Sequence, residues 1–293
     1  MLWLKSLMRN KYRYISWIIG FILFVGPFAI IMHIYYYLAG ILREPDLHMT
    51  CFRMPIDWIF SGRIYYIFSY PEMFLFIFVV LITSLILGPV FCGWLCPVGA
   101  FSEAISRIIP LPNKYRIQIK DPKITRAIRY GFLTGFIMIS ILILLGFSER
   151  FAAICCWYCA SSVLQQIING IINPIELEYW FSGSIIVLIF WLIIGGIFTV
   201  GGRGWCLFFC PLGALSGIFH KIGSKLGFYR TIRIEGKCIN CGKCISVCPM
   251  QAIDSNFSIE RTLCINCKEC ISRCPNKLYK MIWRSKNASS KIN

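Results

Sequence analysis

The motif C-x2-C-x2-C-x3-C-P occurs twice near the C-terminal end of the sequence, in residues 238–249 and 264–275. Three cysteines at this spacing can wrap around one compact metal cluster, and the fourth, next to proline, can reach a neighbouring cluster. The repeated motif therefore predicts two [4Fe-4S] clusters. Zinc is the alternative for paired C-x2-C motifs, and it is disfavoured because the C-x3-C-P ending occurs in both copies.

The crossed arrangement assigns each of the eight cysteines to one predicted cluster. The first cluster is expected to be bound by Cys238, Cys241, Cys244 and Cys274. The second cluster is expected to be bound by Cys264, Cys267, Cys270 and Cys248. Because the fourth ligand of each cluster comes from the other motif, we expect the two clusters to lie close enough for electrons to pass between them.

The chain is too apolar for an ordinary soluble domain, since 57% of its 293 residues are hydrophobic and 16% are aromatic. Apolar stretches long enough to cross a bilayer as helices lie near residues 14–39, 73–91, 130–148 and 182–201. Residues 151–175 also lack charge, but their amide, glycine and proline content favours an interfacial or re-entrant helix over a fifth span. The sequence thus predicts an α-helical membrane protein with four transmembrane helices.

Basic residues are unevenly distributed between the loops of this predicted protein. The formal net charge is +17, and Lys and Arg are concentrated before the first span and in residues 103–129. Residues 43–63 have balanced charges, and residues 149–178 hold one arginine against three glutamates. The positive-inside rule therefore predicts a multi-pass protein of the cell membrane whose N- and C-termini are cytoplasmic. Nucleic acid is disfavoured as a partner, and membrane lipid is expected, because the charges flank apolar spans.

Residues 88–108 align without gaps to residues 202–222, and the two copies share G, C, C, P, G, A, S and I. This repeat indicates a duplicated helical hairpin. Each copy has a C-x3-C-P motif, and the two motifs contain Cys92, Cys96, Cys206 and Cys210. Four soft ligands at equivalent positions predict a further metal or iron-sulfur site, and helix packing by small apolar cysteines is the alternative. We expect Pro97 and Pro211 to end each helix just after its second cysteine.

The four remaining cysteines all fall in the two loops that are predicted to face outward. They are Cys51, Cys155, Cys156 and Cys159. A structural disulfide from Cys51 to one of the other three is one interpretation, because the outer compartment is oxidising. A metal site is the other, since thiolates are soft ligands.

The repeats and the spans together predict the domain organisation. Residues 1–228 are expected to form the four-span membrane domain with the two C-x3-C-P motifs. Residues 229–284 are expected to form a small α+β ferredoxin-like domain with two clusters, and residues 285–293 a polar tail. The sequence shows no catalytic acid–base pair or nucleophile constellation, which favours an electron-transfer subunit over a stand-alone enzyme.

With both repeats established, the chain resembles the NapH/MauN-type membrane-bound ferredoxins over nearly its whole length. The most specific segments are CGWLCPVG from Cys92, CLFFCPLG from Cys206 and the two ferredoxin motifs. The membrane parts of NosR-type and CcoG-type proteins are similar in the same places. The segment CCWYC from Cys155 departs from the NapH pattern.

The resemblance implies a role in electron transport. Electrons would pass between the quinol pool, or a donor on the inner side, and a redox partner, so that the protein could form part of a quinol dehydrogenase. Two other functions fit members of this group. One is maturation or reduction of a metal centre for another enzyme, and the other is membrane redox sensing.

Overall fold

A computed structural model describes residues 11–24, 30–40, 53–109, 111–119, 121–147, 195–234, 236 and 238–283. The predicted interfacial segment 151–175 and residues 182–194 of the fourth predicted span lie outside these ranges. Within the described part, one helix is long and apolar enough to cross a membrane, and a second apolar helix, Pro71–Ile86, is shorter. Four transmembrane helices therefore remain a prediction.

The first half of the described chain is built from helices, and the first C-x3-C-P motif lies at the start of the last of them. They are α1 (Lys11–Phe24), α2 (Ile30–Ala39), α3 (Arg53–Phe60), α4 (Tyr66–Ser69) and α5 (Pro71–Ile86), followed by a π-helical turn (Phe91–Leu95) and α6 (Pro97–Ile108). Helix α1 packs on this turn and on α6. The helix predicted over residues 73–91 ends at Ile86, and Gly88 follows it with φ of 78°. This φ is easily accessible only to glycine, so the chain can turn there before Cys92.

The second half begins with a short 3-10 turn (Asn113–Tyr115) and the long apolar helix α7 (Pro122–Leu144). The Asp121 carboxylate caps α7 by accepting a hydrogen bond from the backbone N–H of Lys123, and Pro122 occupies the first helical position. Helices α8 (Gly204–Phe208) and α9 (Pro211–Lys225) carry the second C-x3-C-P motif between them. Helix α9 packs along α5 and also contacts α7.

The helical segments before Pro97 and Pro211 end at Leu95 and Phe208, close to the predicted position. The prediction omits that a new helix starts at once. Each proline occupies the first position of the helix that follows, α6 or α9, and the second cysteine of each motif is the N-cap residue. Proline is favoured at this position because its missing N–H would have no partner inside the helix and its fixed φ is already helical. Each motif therefore ends one helical segment and starts the next.

The end of the fourth predicted span is also not helical. The Ile117 N–H donates to the Phe198 carbonyl at 2.5 Å, and the Val200 N–H donates to the Ile117 carbonyl at 3.1 Å. Gly201 and Gly202 then turn the chain with positive φ. Backbone hydrogen bonds of residues 198–200 are thus made with residue 117 and not within a helix. The helix predicted up to residue 201 is therefore wrong over its last residues.

The C-terminal part contains a two-stranded antiparallel sheet and two short helices. Strand β1 (Arg230–Arg233) pairs with β2 (Tyr279–Ile282), with Arg230 opposite Ile282, and α10 (Lys243–Ser246) and α11 (Glu269–Arg273) lie between the strands in sequence. Its apolar core contains Met250 and Leu263 together with Leu207 of α8. Since Leu207 is fully buried in this core, the ferredoxin-like part and the helical part share one core.

A buried group of charges joins the same two parts. We call it the ion-pair cluster, and it consists of Arg13, Glu103, Arg107, Arg203 and Glu269. The Glu103 carboxylate accepts hydrogen bonds from Arg13 at 2.7 and 2.9 Å and from Arg203 at 2.6 Å. Arg13 also reaches Glu269 of α11 at 2.7 Å. Burial alone would raise the pKa of Glu103, but the surrounding arginines hold it at about 2, so the carboxylate is ionised at neutral pH.

Substitution Glu103→Gln should strongly destabilise the protein, because the amide keeps the shape of the carboxylate but leaves the buried Arg203 without its counter-charge. Breaking a buried ion pair costs about 3–5 kcal/mol. Arg126→Gln is the control, since the Arg126–Glu260 pair is partly exposed and such pairs contribute about 0–1 kcal/mol. Unfolding of both variants in detergent should be followed by circular dichroism, and equal effects of the two substitutions would contradict this account.

Candidate iron-sulfur sites

Four cysteines surround a cavity at the end of the C-terminal part. We call it the first cavity, and its lining includes Cys238, Cys241, Cys244 and Cys274. Three of these cysteines come from the first ferredoxin motif and the fourth from the second motif, which is the set expected from the spacing. Cys241 is exposed and Cys244 is buried, so the cavity has one side close to solvent.

The other four ferredoxin cysteines line a second cavity, which lies deeper. They are Cys248, Cys264, Cys267 and Cys270. Burial, together with the neighbouring thiols of Cys267 and Cys264, raises the pKa of Cys248 to about 12. Burial likewise raises the pKa of Cys267 to about 11. Thiols in such surroundings become thiolates when a bound metal supplies positive charge, so the donor set fits an iron-sulfur cluster.

The backbone of the two ferredoxin motifs has matching conformations. Asn240 and Gly242 have positive φ in the first motif, and Asn266 and Lys268 have positive φ at the equivalent positions of the second. Successive residues of alternating handedness turn backbone N–H groups towards one centre, as is usual around anionic groups. The two motifs also match after their last cysteine. In each one, the backbone N–H of the residue four positions later donates to the sulfur of that cysteine.

Those two hydrogen bonds join Ala252 N to Cys248 Sγ at 3.3 Å and Leu278 N to Cys274 Sγ at 3.4 Å. Each one stabilises a thiolate and holds the cysteine that crosses between the motifs. The local backbone is therefore arranged for sulfur ligands in both cavities.

The C-x3-C-P cysteines are brought together as well. We call Cys92, Cys96, Cys206 and Cys210 the four-thiol group. Cys92, Cys96 and Cys210 pack against one buried core that contains Phe91 and Leu212. A Cβ atom placed on Gly99, three residues after Cys96, would lie 3.5 Å from Cys206 Sγ. Burial and the neighbouring thiols Cys96 and Cys206 raise the pKa of Cys92 to about 12. These contacts bring cysteines of both halves of the repeat together, as one shared site requires.

The N-cap position of the second cysteine in each half assists sulfur binding. The Gly213 N–H donates to Cys210 Sγ at 3.3 Å, since the first turn of α9 has free N–H groups. Among the described residues, no three His, Cys, Asp or Glu side chains are arranged around a single metal ion. A cubane distributes its four thiolates over four irons, so its ligands stand farther apart than those of one ion.

Asn266 is an important residue that sequence reasoning missed. Its Nδ2 donates to the Leu87 carbonyl at the end of α5 at 3.0 Å, and its Oδ1 accepts from Thr231 at 3.0 Å. The equivalent Asn240 of the first motif is exposed. Both motifs read CINC, so no signal in the sequence separates the asparagine that joins the two parts of the protein from the one that faces solvent.

The predicted outer cysteines cannot be placed. Cys51, Cys155, Cys156 and Cys159 all lie outside the described residues. A disulfide and a metal site both stay predictions for this group.

Comparison with known proteins agrees with the three cysteine arrangements. Models of 4Fe-4S binding domains match residues 70–116 together with 184–229, then residues 231–254 and residues 261–277. The first match contains both C-x3-C-P motifs, and each of the other two contains one complete ferredoxin motif. No solved structure matches the chain.

Several curated proteins are similar over the same region. The ferredoxin-type protein NapH of Haemophilus influenzae is 29% identical over 58% of this chain and 51% of its own length. The methylamine utilization ferredoxin-type protein MauN of Methylorubrum extorquens is 30% identical over 58% of this chain and 50% of its own. The putative electron transport protein YccM of Escherichia coli is 28% identical over 58% and 43%. The chain thus matches about half the length of these relatives.

These findings define the class of protein. The chain contains 4Fe-4S binding domains, so its cofactors are [4Fe-4S] clusters. Together with its similarity to ferredoxin-type and putative electron transport proteins, these domains support electron transfer. Its relatives include NapH and MauN, so the resemblance predicted from the sequence is confirmed.

The crossed ligand sets predict different effects for two equivalent cysteines. Cys248→Ser should damage the cluster of the second cavity, although Cys248 belongs to the first motif. Cys274→Ser should damage the cluster of the first cavity. Iron content and electron paramagnetic resonance of the anaerobically purified variants would show which cluster signal is lost. Loss of the signal of each cysteine's own motif would refute the crossed arrangement.

Proposed function

We propose that this protein is a membrane electron conduit in which three iron-sulfur sites connect a donor in the membrane domain with a redox partner at the ferredoxin-like end. The observation that carries this proposal is that the four-thiol group, the second cavity and the first cavity follow one another through direct packing. When bound, each [4Fe-4S] cluster would take up and release an electron. The protein would hold the clusters close together and control access to them.

The step from the four-thiol group to the second cavity is supported by shared neighbours. Cys92 and Cys206 pack against one buried apolar cluster that contains Leu207, Met250 and Leu263. Cys267 of the second cavity belongs to this cluster, and Cys248 and Cys264 pack against it. These contacts place an apolar connection between the two groups of sulfur ligands.

The step from the second to the first cavity is supported in the same way. Cys248 and Cys270 of the second cavity and Cys244 and Cys274 of the first pack on Ile253 and Tyr279. The Tyr279 hydroxyl donates to the Phe257 carbonyl at 3.0 Å and lies 3.6 Å from Cys244 Sγ. Tyr279 is thereby fixed between the cavities, in a position to exclude water from the contact.

The exposed end of this series is suited to a soluble partner. Ile239, within the first motif, is 62% exposed, and Cys241 is also exposed. Lys243 and Lys277 are exposed beside them. A basic rim around an apolar tip favours a partner with an acidic surface, since complementary charge steers encounter between redox proteins.

The donor at the other end is proposed to be quinol. This proposal is supported by the resemblance to NapH/MauN-type proteins and by the apolar helix α7. We retain the four-span arrangement with both termini on the cytoplasmic side as part of it. Electrons would then pass between the membrane, through the buried four-thiol group, and a partner on the cytoplasmic side, which would bind at the exposed first cavity.

The boundary of the ferredoxin-like domain is proposed to lie at residues 229–284. Strand β1 begins at Arg230 and β2 ends at Ile282, so the sheet closes the domain near both proposed limits. Because its core includes Leu207, we expect this domain to depend on the helical part for its stability.

The conduit can be tested with the full chain in liposomes under anaerobic conditions. A reduced short-chain quinol should reduce the clusters on a turnover timescale, followed by absorbance and electron paramagnetic resonance. Dithionite reduces intact clusters directly, so it serves as the control for clusters that are present but receive no electrons from quinol. Reduction by dithionite and none by quinol would reject the quinol donor, and a redox sensor or a maturation factor would then be the better interpretation.

The four-thiol group gives a separate prediction. Single substitutions Cys92→Ser, Cys96→Ser, Cys206→Ser and Cys210→Ser should each remove the same spectroscopic signal and one cluster's share of iron. The two ferredoxin clusters should survive, because their cysteines are unchanged. Four unrelated phenotypes, or full iron content in all four variants, would return these cysteines to a packing role.

A further inference from the structure

Two buried arginines lie beside the four-thiol group, and each one approaches a different half of the repeat. We propose that Arg129 and Arg203 donate hydrogen bonds and positive charge to a cluster bound there and thereby raise its reduction potential. This inference rests on the proposed third cluster. It assigns a role to two residues whose charge the sequence attributes to cytoplasmic loops or leaves unexplained.

Arg203 is held in place by the ion-pair cluster. Its Nε donates to Glu103 at 2.6 Å, and its Nη1 donates to the Cys92 carbonyl. Its side chain is 1% exposed. A Cβ atom placed on Gly99 would lie 2.7 Å from Nη1 of Arg203 and 3.5 Å from Cys206 Sγ. The guanidinium therefore lies directly beside the sulfur ligands.

Arg129 occupies the corresponding place in the other half. It is 2% exposed, and its Nη1 donates to the Thr262 carbonyl at 3.1 Å. A Cβ atom placed on Gly213 would collide with Nη2 of Arg129 and would lie 3.5 Å from Cys210 Cβ. Helix α7 thus carries a cation against the first turn of α9, next to the last cysteine of the second motif.

The two contacts are equivalent by sequence. Gly99 and Gly213 each stand three residues after the second cysteine of a C-x3-C-P motif, and they align in the repeat. Each glycine leaves the space that an arginine side chain occupies. A guanidinium thus reaches the same point in both halves, although the two arginines come from different positions in the repeat. Their convergence on this point indicates that the site requires a cation there.

Each guanidinium has an N–H that is still available. Nε of Arg129 and Nη2 of Arg203 are buried and have no hydrogen-bond partner among the described residues. A buried donor without a partner is costly, so such groups are rare unless a ligand uses them. The sulfur atoms of a cubane and its thiolates are suitable acceptors.

The charge of the two arginines suits a cluster at this place. A cluster with four thiolates carries net negative charge that increases by one on reduction, so two nearby cations stabilise the reduced form.

The test is a redox titration of the full-length protein, purified anaerobically and monitored by electron paramagnetic resonance. Arg129→Gln should retain iron but shift the midpoint potential of one cluster component to a lower value. Arg203→Gln should shift the same component. Arg129→Lys should restore much of the shift, because it keeps the charge. Arg126→Gln, on the same helix and paired with Glu260, should leave every component unchanged.

The outcomes separate this inference from the proposed function. If the unsubstituted protein contains iron for the two ferredoxin clusters only, the third cluster is absent and the proposed function fails in that part. If the third component is present but Arg129→Gln and Arg203→Gln leave its potential unchanged, the inference fails alone. Loss of the cluster in both the Gln and the Lys variants of Arg129 would assign this residue a purely structural role and also overturn the inference.

Discussion

The arrangement of the three cysteine groups depends on one buried carboxylate. Glu103 binds Arg13 of α1, Arg107 of its own helix and Arg203 of the loop before α8, and Arg13 also binds Glu269 in the second ferredoxin motif. A carboxylate without these partners would be too costly to bury, and the arginines would be too costly without it. The ion-pair cluster therefore fixes both halves of the repeat and the ferredoxin-like part at once. Arg203 takes its place beside the four-thiol group through this cluster.

Close backbone contact completes the attachment of the ferredoxin-like part. A Cβ atom on Gly93 or on Gly217 would collide with the carbonyl oxygens of Ile265 and Thr262, respectively. Glycine at these positions lets the cluster-binding loop approach the π-helical turn and α9 without a layer of side chains between them. Short separation between redox sites is what electron transfer requires, so the same packing that stabilises the fold also serves the proposed conduit. The same close contact allows Leu207 of the helical part to share a core with the ferredoxin-like part.

Much of the cluster chemistry could be predicted from the spacing of the cysteines, because this spacing reflects the local geometry of the loop that binds a cluster. The grouping of Cys248 with the second motif and of Cys274 with the first agrees with the two cavities. The new helices that start at Pro97 and Pro211 could not be predicted, since proline is compatible with both the end and the start of a helix. A charge count assigns Arg13 and Arg129 to loops, but both are buried. A charge count gives no information on whether an arginine faces lipid headgroups or sulfur, and only the fold brings Arg129 beside Gly213.

The central claim is that three [4Fe-4S] clusters form one connected series in the full chain. Iron, acid-labile sulfide and spin should be quantified together on anaerobically purified protein during a single potentiometric titration. The account predicts iron and sulfide for three cubanes and magnetic interaction between the reduced clusters. Iron for two cubanes only, with no third component and with the Cys92 and Cys206 thiols free to react with alkylating reagents, would contradict it.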